Sequence, residues 1–366
     1  IPRIPGSESF SNMSTDVWSR LPIIEIAGTP YEVGLQLGKF GAAVVNEYVI
    51  KTSAWASVVA FRDHPTLVAV RELVATRFPR YWQEIIGLAH GMELPVEDVF
   101  VWNCRGDVWA MVREGCTTLQ IPGQPLVLAH NEDGDPGLKN RCAIAIIRAE
   151  GGLAFTAFVY PGSIPGNAFA VNEAGLVYTV NNIRARNGSS RGVPRMVLTR
   201  ALLDCAGIEQ AVDLLESSER WGSFHLSVAQ RGVPHIFSIE FTRTKCSVQQ
   251  ISRPSCHANH LIHQAMAGEG QIITASSWSR QKRGNELLRQ CWPRLPDPLA
   301  ILWDQSRPAL PLYREQPDDP DCENTLVTVV FEIYSDRISW RIFDRAYAPA
   351  ILCCDDGHEP CLSHRA

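Results

Sequence analysis

The chain has 366 residues and a formal net charge of −5, with 45% hydrophobic and 20% charged residues. This balance is typical of a globular protein with a sizeable core, and its basic clusters are too short for a nucleic-acid or anionic-membrane surface. No apolar run could span a bilayer and no charged-then-apolar leader opens the chain, so we expect a cytoplasmic protein with neither membrane nor nucleic-acid partners.

The first third of the sequence is predicted to be mainly helical. Residues 1–12 lack periodicity and are interpreted as a disordered tail or the remnant of an added sequence. A short strand is expected at 22–27, followed by Gly-Thr-Pro, a helix start signal. Apolar residues at helical spacing then predict four helices, which cover residues 30–49, 66–78, 81–92 and 95–112.

From Cys116 onward the pattern changes to strands joined by turn residues. Three hairpins are predicted within 116–133, 142–160 and 168–182, and a fourth closes the chain at 325–344. Between them lie two helices, three strands and two further short helices. The pattern predicts an antiparallel α+β layered fold without a phosphate-binding loop.

The cysteines and histidines do not indicate a metal site. The eleven cysteines are odd in number and scattered, and several, such as Cys142, lie in apolar runs. We therefore expect free thiols in a reducing compartment, and no zinc. His257, His260 and His263 have helical spacing, but they follow a strand and have no second group of ligands nearby.

Cys116 lies where the helical part meets the first strand of the hairpin region. A cysteine nucleophile needs a base and oxyanion donors. If the chain is cut between Gly115 and Cys116, the new α-amino group, with a pKa of roughly 8, can be that base. Gly115 offers an unhindered carbonyl. The residues alone leave two interpretations open, a catalytic thiol and a buried core cysteine.

Eight short motifs in order make the chain recognisable. They are GTPYEVGLQLG, NCR at 103–105, EGCTT at 114–118, HNED at 130–133, VNEAGLVYTVNN at 171–182, GVPRMVLTRALL, HANH at 257–260 and the LYR that ends at Arg314. With these motifs the sequence resembles the isopenicillin N acyltransferase-like family of N-terminal-nucleophile hydrolases along nearly its whole length.

The resemblance implies a four-layer αββα sandwich in one domain. It also implies a precursor that cuts itself before Cys116, giving an α-chain segment (13–115) and a β-chain segment (116–366) that stay together. The activity implied is cleavage or transfer of an amide through an acyl-enzyme, without a cofactor.

The resemblance assigns catalytic roles to four residues. Cys116 matches the nucleophile, Asp133 the holder of its amino group, Asn259 the oxyanion donor, and Arg314 an arginine near the active site. On sequence alone a turn residue is the favoured interpretation of Asp133, Asn259 could also be a turn residue, and Arg314 could be a surface residue paired with Glu315.

Six further residues are predicted to bind substrate. One lies beside a catalytic position, one on the last helix before the cut and two in the turn-rich segment 158–167, while the resemblance places a pocket asparagine at Asn181 or Asn182. These residues are Arg105, Asn131, Tyr160, Ile164, Asn181 and Asn182.

The favoured function is hydrolysis of an N-acyl amide of a small amine, amino acid or β-lactam through a thioester. One alternative is acyl transfer to an amine, from an amide or an acyl-CoA; another is a non-catalytic relative used for binding. A thiol hydrolase with a Cys–His pair using His130 is also open, as is a homo-oligomer. Because Glu114 and Gly134 depart from the residues of the penicillin-pathway enzyme, penicillin is not predicted as the substrate.

Overall fold

The computed structural model describes residues 21–109, 114–186, 191–291, 293–316, 321–355, 357–359 and 361–362. The predicted tail at 1–12 lies outside these ranges. The helices are α1 (Pro30–Glu47), α2 (Ser53–Val59), α3 (Pro65–Arg77), α4 (Pro79–Met92), α5 (Val96–Trp102), α6 (Arg105–Val108), α7 (Arg195–Leu202), α8 (Ile208–Ser217), α9 (Ala275–Cys291) and α10 (Pro298–Leu302). Among the described residues, none of these helices combines the length and the apolar character that a membrane crossing requires.

The strands form two sheets. The strands are β1 (Ile23–Gly28), β2 (Glu114–Ile121), β3 (Leu126–Gly134), β4 (Ala143–Ala149), β5 (Phe155–Val159), β6 (Phe169–Asn172), β7 (Leu176–Asn182), β8 (Phe224–Gln230), β9 (Ile236–Phe241), β10 (Cys246–Ile251), β11 (Ser255–His257), β12 (Asn324–Ile333), β13 (Ile338–Phe343), β14 (Leu352–Cys354) and β15 (Cys361–Leu362). The first sheet has the order β1-β4-β5-β6-β7-β8-β9-β10, and the second β11-β2-β3-β12-β13-β14-β15.

Three hydrophobic clusters separate four layers. The largest lies between the first sheet and helices α1 to α8. The second lies between the two sheets, and the third between the second sheet and helices α9 and α10. The layers therefore run helix, sheet, sheet, helix, which confirms the predicted αββα sandwich.

Local sequence accounts for the helical layer next to the site. Pro30 starts α1, and Thr29 caps it in a capping box with Glu32. Helices α1 and α4 approach so closely that a Cβ on Gly34 would lie 1.9 Å from the Glu84 carbonyl oxygen. A larger side chain than glycine would not fit at this contact, so Gly34 allows α1 and α4 to pack directly against each other.

Two predictions about this part of the chain were wrong in detail. The helix expected at 95–112 is broken at Asn103, whose side chain donates to the Val99 and Gly162 carbonyl oxygens and accepts from the Ile164 amide. Residues 110–113 lie outside the described ranges. The fold is not wholly antiparallel either, because β1 pairs with β4 in parallel after the long helical excursion between them.

Candidate active site

Cys116 lies on the inner face of β2. It is paired across the ladder with Glu132 of β3, so both side chains point into the space between the sheets. The Cys116 Sγ is 3.6 Å from Glu132 Oε2. The Tyr160 hydroxyl donates to Glu132 Oε1 at 2.5 Å, and His130 Nε2 lies 2.9 Å from Oε2. These four side chains form a buried cluster at the predicted nucleophile.

Burial shifts the pKa of the groups in this cluster in the direction that favours their neutral forms. Burial, reinforced by the carboxylates of Glu132 and Asp133, raises the pKa of the Cys116 thiol well above its ordinary value. Burial also raises the pKa of Glu132 and lowers that of His130 to about 3. The thiol at Cys116 therefore requires a base before it can attack.

His130 is poorly placed to be that base. Its Nδ1 lies 2.7 Å from Thr118 Oγ1 and its Nε2 2.9 Å from Glu132 Oε2, so both ring nitrogens have hydrogen-bond partners other than the thiol. This geometry disfavours the Cys–His alternative.

Asn259 contacts the backbone of Cys116. The Cys116 amide nitrogen donates to Asn259 Oδ1 at 3.0 Å, and Arg280 Nη2 donates to the same oxygen at 2.7 Å. Arg280 also donates to the Cys116 carbonyl oxygen and to Thr117 Oγ1. With the oxygen of its amide fixed in this way, Asn259 presents Nδ2 on the opposite side, where no partner exists among the described residues.

Asp133 and Arg314 lie near Gly115, the residue before Cys116. Asp133 is paired across the ladder with Gly115, and its Oδ1 accepts from Thr325 Oγ1 at 2.7 Å. Arg314 Nη1 is 3.9 Å from Asp133 Oδ2. Arg314 is fully buried, which rules out the alternative of a surface arginine, and Asp133 is a strand residue rather than a turn residue.

Glu323 is an additional acidic group at this position. Its carboxylate bonds Arg314 Nη1, and Arg184 Nη2 lies 3.3 Å from its other oxygen. Burial raises the pKa of Glu323 to about 7, against the lowering effect of both arginines. A Cβ added to Gly115 would lie 2.1 Å from Glu323 Oε2, so this carboxylate lies directly against the glycine that precedes Cys116.

Glu114 is anchored by two arginines. Arg105 Nε donates to Glu114 Oε1 at 2.6 Å and Arg195 Nη2 to Oε2 at 3.1 Å, while Asn182 Nδ2 donates to the Glu114 carbonyl oxygen at 3.1 Å. Arg105, Glu114 and Tyr160 also line a surface pocket. The structure thus brings Arg105, Asn182 and Tyr160, among the predicted binding residues, next to the cleavage position.

The other three predicted binding residues lie elsewhere. Asn131 faces the outer helical layer, where its Nδ2 donates to the Leu302 carbonyl oxygen, because side chains on β3 alternate and Glu132 takes the inner face. Ile164 is part of the core under the helices. Asn181 is buried between the sheets and bonds Thr118 and the His257 carbonyl oxygen. Asn131, Ile164 and Asn181 are not among the residues that line the pocket with Arg105 and Tyr160, and their role in substrate binding stays a prediction.

One group of side chains has the spacing of a metal site. Within the described ranges, the ligand atoms of Cys116, His130 and Glu132 lie within 4.8 Å of one another. The histidines at 257–263 do not share one helix face. His257 bonds Glu240, His260 bonds Ser277, and His263 bonds two serines of the first sheet. A soft divalent ion such as Zn²⁺ would match the thiolate, imidazole and carboxylate of the first group.

Sequence reasoning missed several charged residues of the site. These are Glu132, Arg195, Arg280 and Glu323. Glu132, Arg195 and Arg280 lie within strands or helices of ordinary sequence and Glu323 lies just before β12, and all four acquire their environment from the packing of distant segments. The sequence offers one signal for two of them. Arg195 and Arg280 have no acidic residue three or four positions away on their helices, so any ion pair that they make must involve another part of the chain.

A comparison with protein-family models found one match. Residues 121–346 match the family model described as acyl-coenzyme A:6-aminopenicillanic acid acyl-transferase. This range starts after Cys116 and includes Asp133, Asn259 and Arg314.

Two curated proteins and one solved structure are similar. The beta-alanyl-dopamine/carcinine hydrolase of Drosophila melanogaster is 24% identical over 227 residues, 54% of this chain and 58% of that protein. The acyl-coenzyme A:6-aminopenicillanic-acid-acyltransferase 40 kDa form of Emericella nidulans is 24% identical over 336 residues, 86% of this chain and 90% of that protein. A variant of the conjugated bile acid hydrolase from Clostridium perfringens matches with a TM-score of 0.43 and 11% identity, covering 69% of this chain and 97% of that one.

Proposed function

Because the chain belongs to the acyl-coenzyme A:6-aminopenicillanic acid acyl-transferase family, we propose that it is a self-processing cysteine hydrolase of N-acyl amides. The amine part would be a small amine, an amino acid or a β-lactam. The observation that carries the proposal is the contact of Asn259 with the backbone nitrogen of the buried Cys116, with the Asn259 Nδ2 donor left without a partner in the described part of the chain. The relatives named above are amide hydrolases and acyltransferases, which fits this chemistry.

The first step in the proposal is self-cleavage. Cys116 Sγ adds to the Gly115 carbonyl carbon, the Gly115–Cys116 C–N bond breaks, and the thiol proton ends on the nitrogen. Water then hydrolyses the resulting thioester. The products are a Gly115 carboxylate and a Cys116 with a free α-amino group.

In turnover the new α-amino group is the general base. Its ordinary pKa of roughly 8 allows it to take the proton of a thiol that burial holds neutral. The thiolate attacks the substrate carbonyl, and Asn259 Nδ2 donates to the oxyanion. The amine leaves with the proton, and water completes hydrolysis of the acyl-enzyme. Asp133, paired with Gly115 in the ladder, lies where it can hold the ammonium form.

Acyl transfer is the second candidate, favoured by the long match to the Emericella protein, which is named as an acyltransferase. The same thioester would then be resolved by an amine instead of water. A faster release of the first product on addition of an acceptor amine, with a new amide as the second product, would identify transfer.

The test is the intact mass of the purified protein under denaturing conditions. The parent should give two chains that meet at Gly115/Cys116, and Cys116→Ala a single chain. Cys142→Ala is the matched control, since Cys142 is also buried but lies at the start of the second hairpin. The processed parent is then assayed for amine release from N-acyl amides.

A single chain in the parent, or cleavage that persists in Cys116→Ala, would contradict the proposal. A full-length protein that hydrolyses amides and loses activity on substitution of His130 would establish a Cys–His hydrolase instead. An uncut protein whose Cys116 does not react with iodoacetamide would be a binding relative of the family.

A further inference from the structure

Two guanidinium groups converge on the side chain of Glu114. Arg105 and Arg195 each donate to a different oxygen of this carboxylate, and the side chains of both arginines are at least nine-tenths buried. Each guanidinium also lies over an aromatic ring, Arg105 at 5.0 Å from the Trp102 centroid and Arg195 at 4.2 Å from that of Phe224. The two arginines therefore form a rigid, desolvated cradle for one carboxylate.

The fold makes room for this cradle. A Cβ added to Gly106 would lie 1.5 Å from Arg195 Nη2, so the glycine beside Arg105 is required for the second guanidinium to reach the same place. Arg195 Nη1 is fixed by Asn182 Oδ1 at 2.5 Å and by the Ser223 carbonyl oxygen at 3.0 Å. Its Nε is buried without a partner among the described residues. Nη2 thus remains directed at Glu114.

Glu114 lies next to the new chain end that self-cleavage would create. It is two residues before Cys116, on the acyl side of the bond that is cut. After the cut, Glu114 is held to the protein by its chain on one side only. If its side chain moves out of the cradle, two buried positive charges lose their partner carboxylate, while Asp107 Oδ1 still accepts a hydrogen bond from the Arg195 backbone nitrogen at 3.3 Å. Buried charges without a partner are costly, so this position favours a new anion.

The self-cleavage intermediate shows which part of a substrate would supply that anion. In the thioester formed by self-cleavage, the acyl group on Cys116 Sγ is the chain ending in Glu114 and Gly115. A substrate acyl group is attached to the same sulfur in turnover. The Glu114 carboxylate carbon is roughly the eighth atom of that acyl chain counted along covalent bonds, starting from the Gly115 carbonyl carbon. Arg105 and Glu114 also line the surface pocket that reaches Tyr160, through which an acyl chain can enter.

We propose that Arg105 and Arg195 are a subsite for a carboxylate at the far end of the substrate acyl group, and that Glu114 is its internal occupant before cleavage. The preferred substrates are then monoamides of dicarboxylic acids with about six to eight atoms between and including the two carbonyl carbons. Water and the amide give the dicarboxylic acid and the free amine. This inference rests on the proposed hydrolase function.

The experiment compares three p-nitroanilides with the processed parent: the suberic acid monoamide, its methyl ester and the octanoyl amide. We expect kcat/KM for the acid to exceed that for the ester by about tenfold or more, mainly through KM, because charge-assisted hydrogen bonds to both arginines are lost in the ester. Equal values for acid and ester would overturn the subsite and leave amide hydrolysis standing.

Two variants should have different effects on KM for the acid. Arg105→Gln should raise KM for the acid about tenfold more than it raises KM for the ester, with Arg71→Gln, an arginine of the surface pair with Glu97, as the matched control. Glu114→Gln should lower KM for the acid or leave it unchanged, because it weakens a tethered competitor. A rise in KM for the acid with Glu114→Gln, or equal effects of Arg105→Gln on acid and ester, would contradict the proposal.

Binding provides a readout that does not depend on turnover. The suberic acid monoamide should slow alkylation of Cys116 by iodoacetamide at concentrations where its methyl ester does not. Equal protection by both, or protection by neither, would refute the subsite. A processed protein with an alkylatable Cys116 that cleaves none of the three amides, but is protected by the acid, would keep the subsite and count against the proposed hydrolase function.

Discussion

Substituting Gly115 by alanine is the sharpest perturbation of the proposed self-cleavage. The added Cβ would lie 2.1 Å from Glu323 Oε2 and 3.1 Å from Arg314 Nη1, whereas ordinary contacts of a Cβ are 3.4–4 Å. The clash cannot be relieved by a simple side-chain rotation, because the Glu323 carboxylate is bonded to Arg314 and also faces Arg184. Either the carboxylate or the scissile peptide must therefore move.

The cost follows from the size of the overlap. Forcing an extra carbon into a packed site typically costs about 1–3 kcal/mol, and here it also disturbs a buried ion pair. If the strain is relieved by displacing the Gly115 carbonyl from Cys116 Sγ, self-cleavage should slow by roughly 10–100-fold, at about 1.4 kcal/mol for each factor of ten.

The assay is a time course of intact mass after rapid purification. Gly270→Ala is the matched control, because its Cβ would have its nearest contact at 3.4 Å. Glu323→Ala removes the carboxylate that the added Cβ would contact. Gly115→Ala should therefore slow self-cleavage less in the Glu323→Ala background than in the parent, and a double-mutant cycle measures this coupling between the two positions. Cleavage of Gly115→Ala at the parent rate would refute the reasoning about both the contact and the scissile bond.

Four further outcomes are expected. Asn259→Ala should lower kcat of the processed enzyme by about 10²–10³, measured as amine release, because one oxyanion donor is lost. Asp133→Asn should slow self-cleavage by about a hundredfold in the same mass assay, because the ammonium formed at Cys116 would lack a buried counter-charge. Burial raises the pKa of Asp107 to about 7, so the parent should lose stability as the pH rises from about 4 to 7, and thermal melts of Asp107→Asn should lack this loss. A chelator should leave kcat unchanged, whereas added Zn²⁺ should inhibit reversibly by binding the thiol, imidazole and carboxylate cluster of the nucleophile.

Periodicity in the sequence was enough to predict most elements of the fold. Helices α1, α3 and α4 and the four hairpins have strong local patterns, and they appear close to the predicted bounds. The parallel pairing of β1 with β4 could not be predicted, because it joins segments separated by the whole helical layer. The break at Asn103 was missed for a similar reason, since one of its partners is the carbonyl oxygen of Gly162 in a distant turn.

The candidate site was predicted in part, through family motifs rather than through local chemistry. The structure groups Asp133, Asn259 and Arg314 around Cys116, although the four come from separate parts of the chain. Arg280 escaped prediction because a basic residue within an α-helix is normally exposed. Only the packing of α9 against β2 and β11 shows that it is buried and donates to Asn259.

The burial of so many charges at the cleavage position is hard to explain by stability. Buried ion pairs are often no more stable than apolar replacements, yet Arg314, Arg280 and Glu323 are all inaccessible to solvent here. The proposed self-cleavage would supply a reason, because it would convert a neutral peptide bond into a carboxylate and an ammonium group inside the protein. Those two charges can form at low cost only where partners of opposite sign are already fixed. Arg314 beside Gly115 and Asp133 across the ladder meet that requirement before the bond is cut.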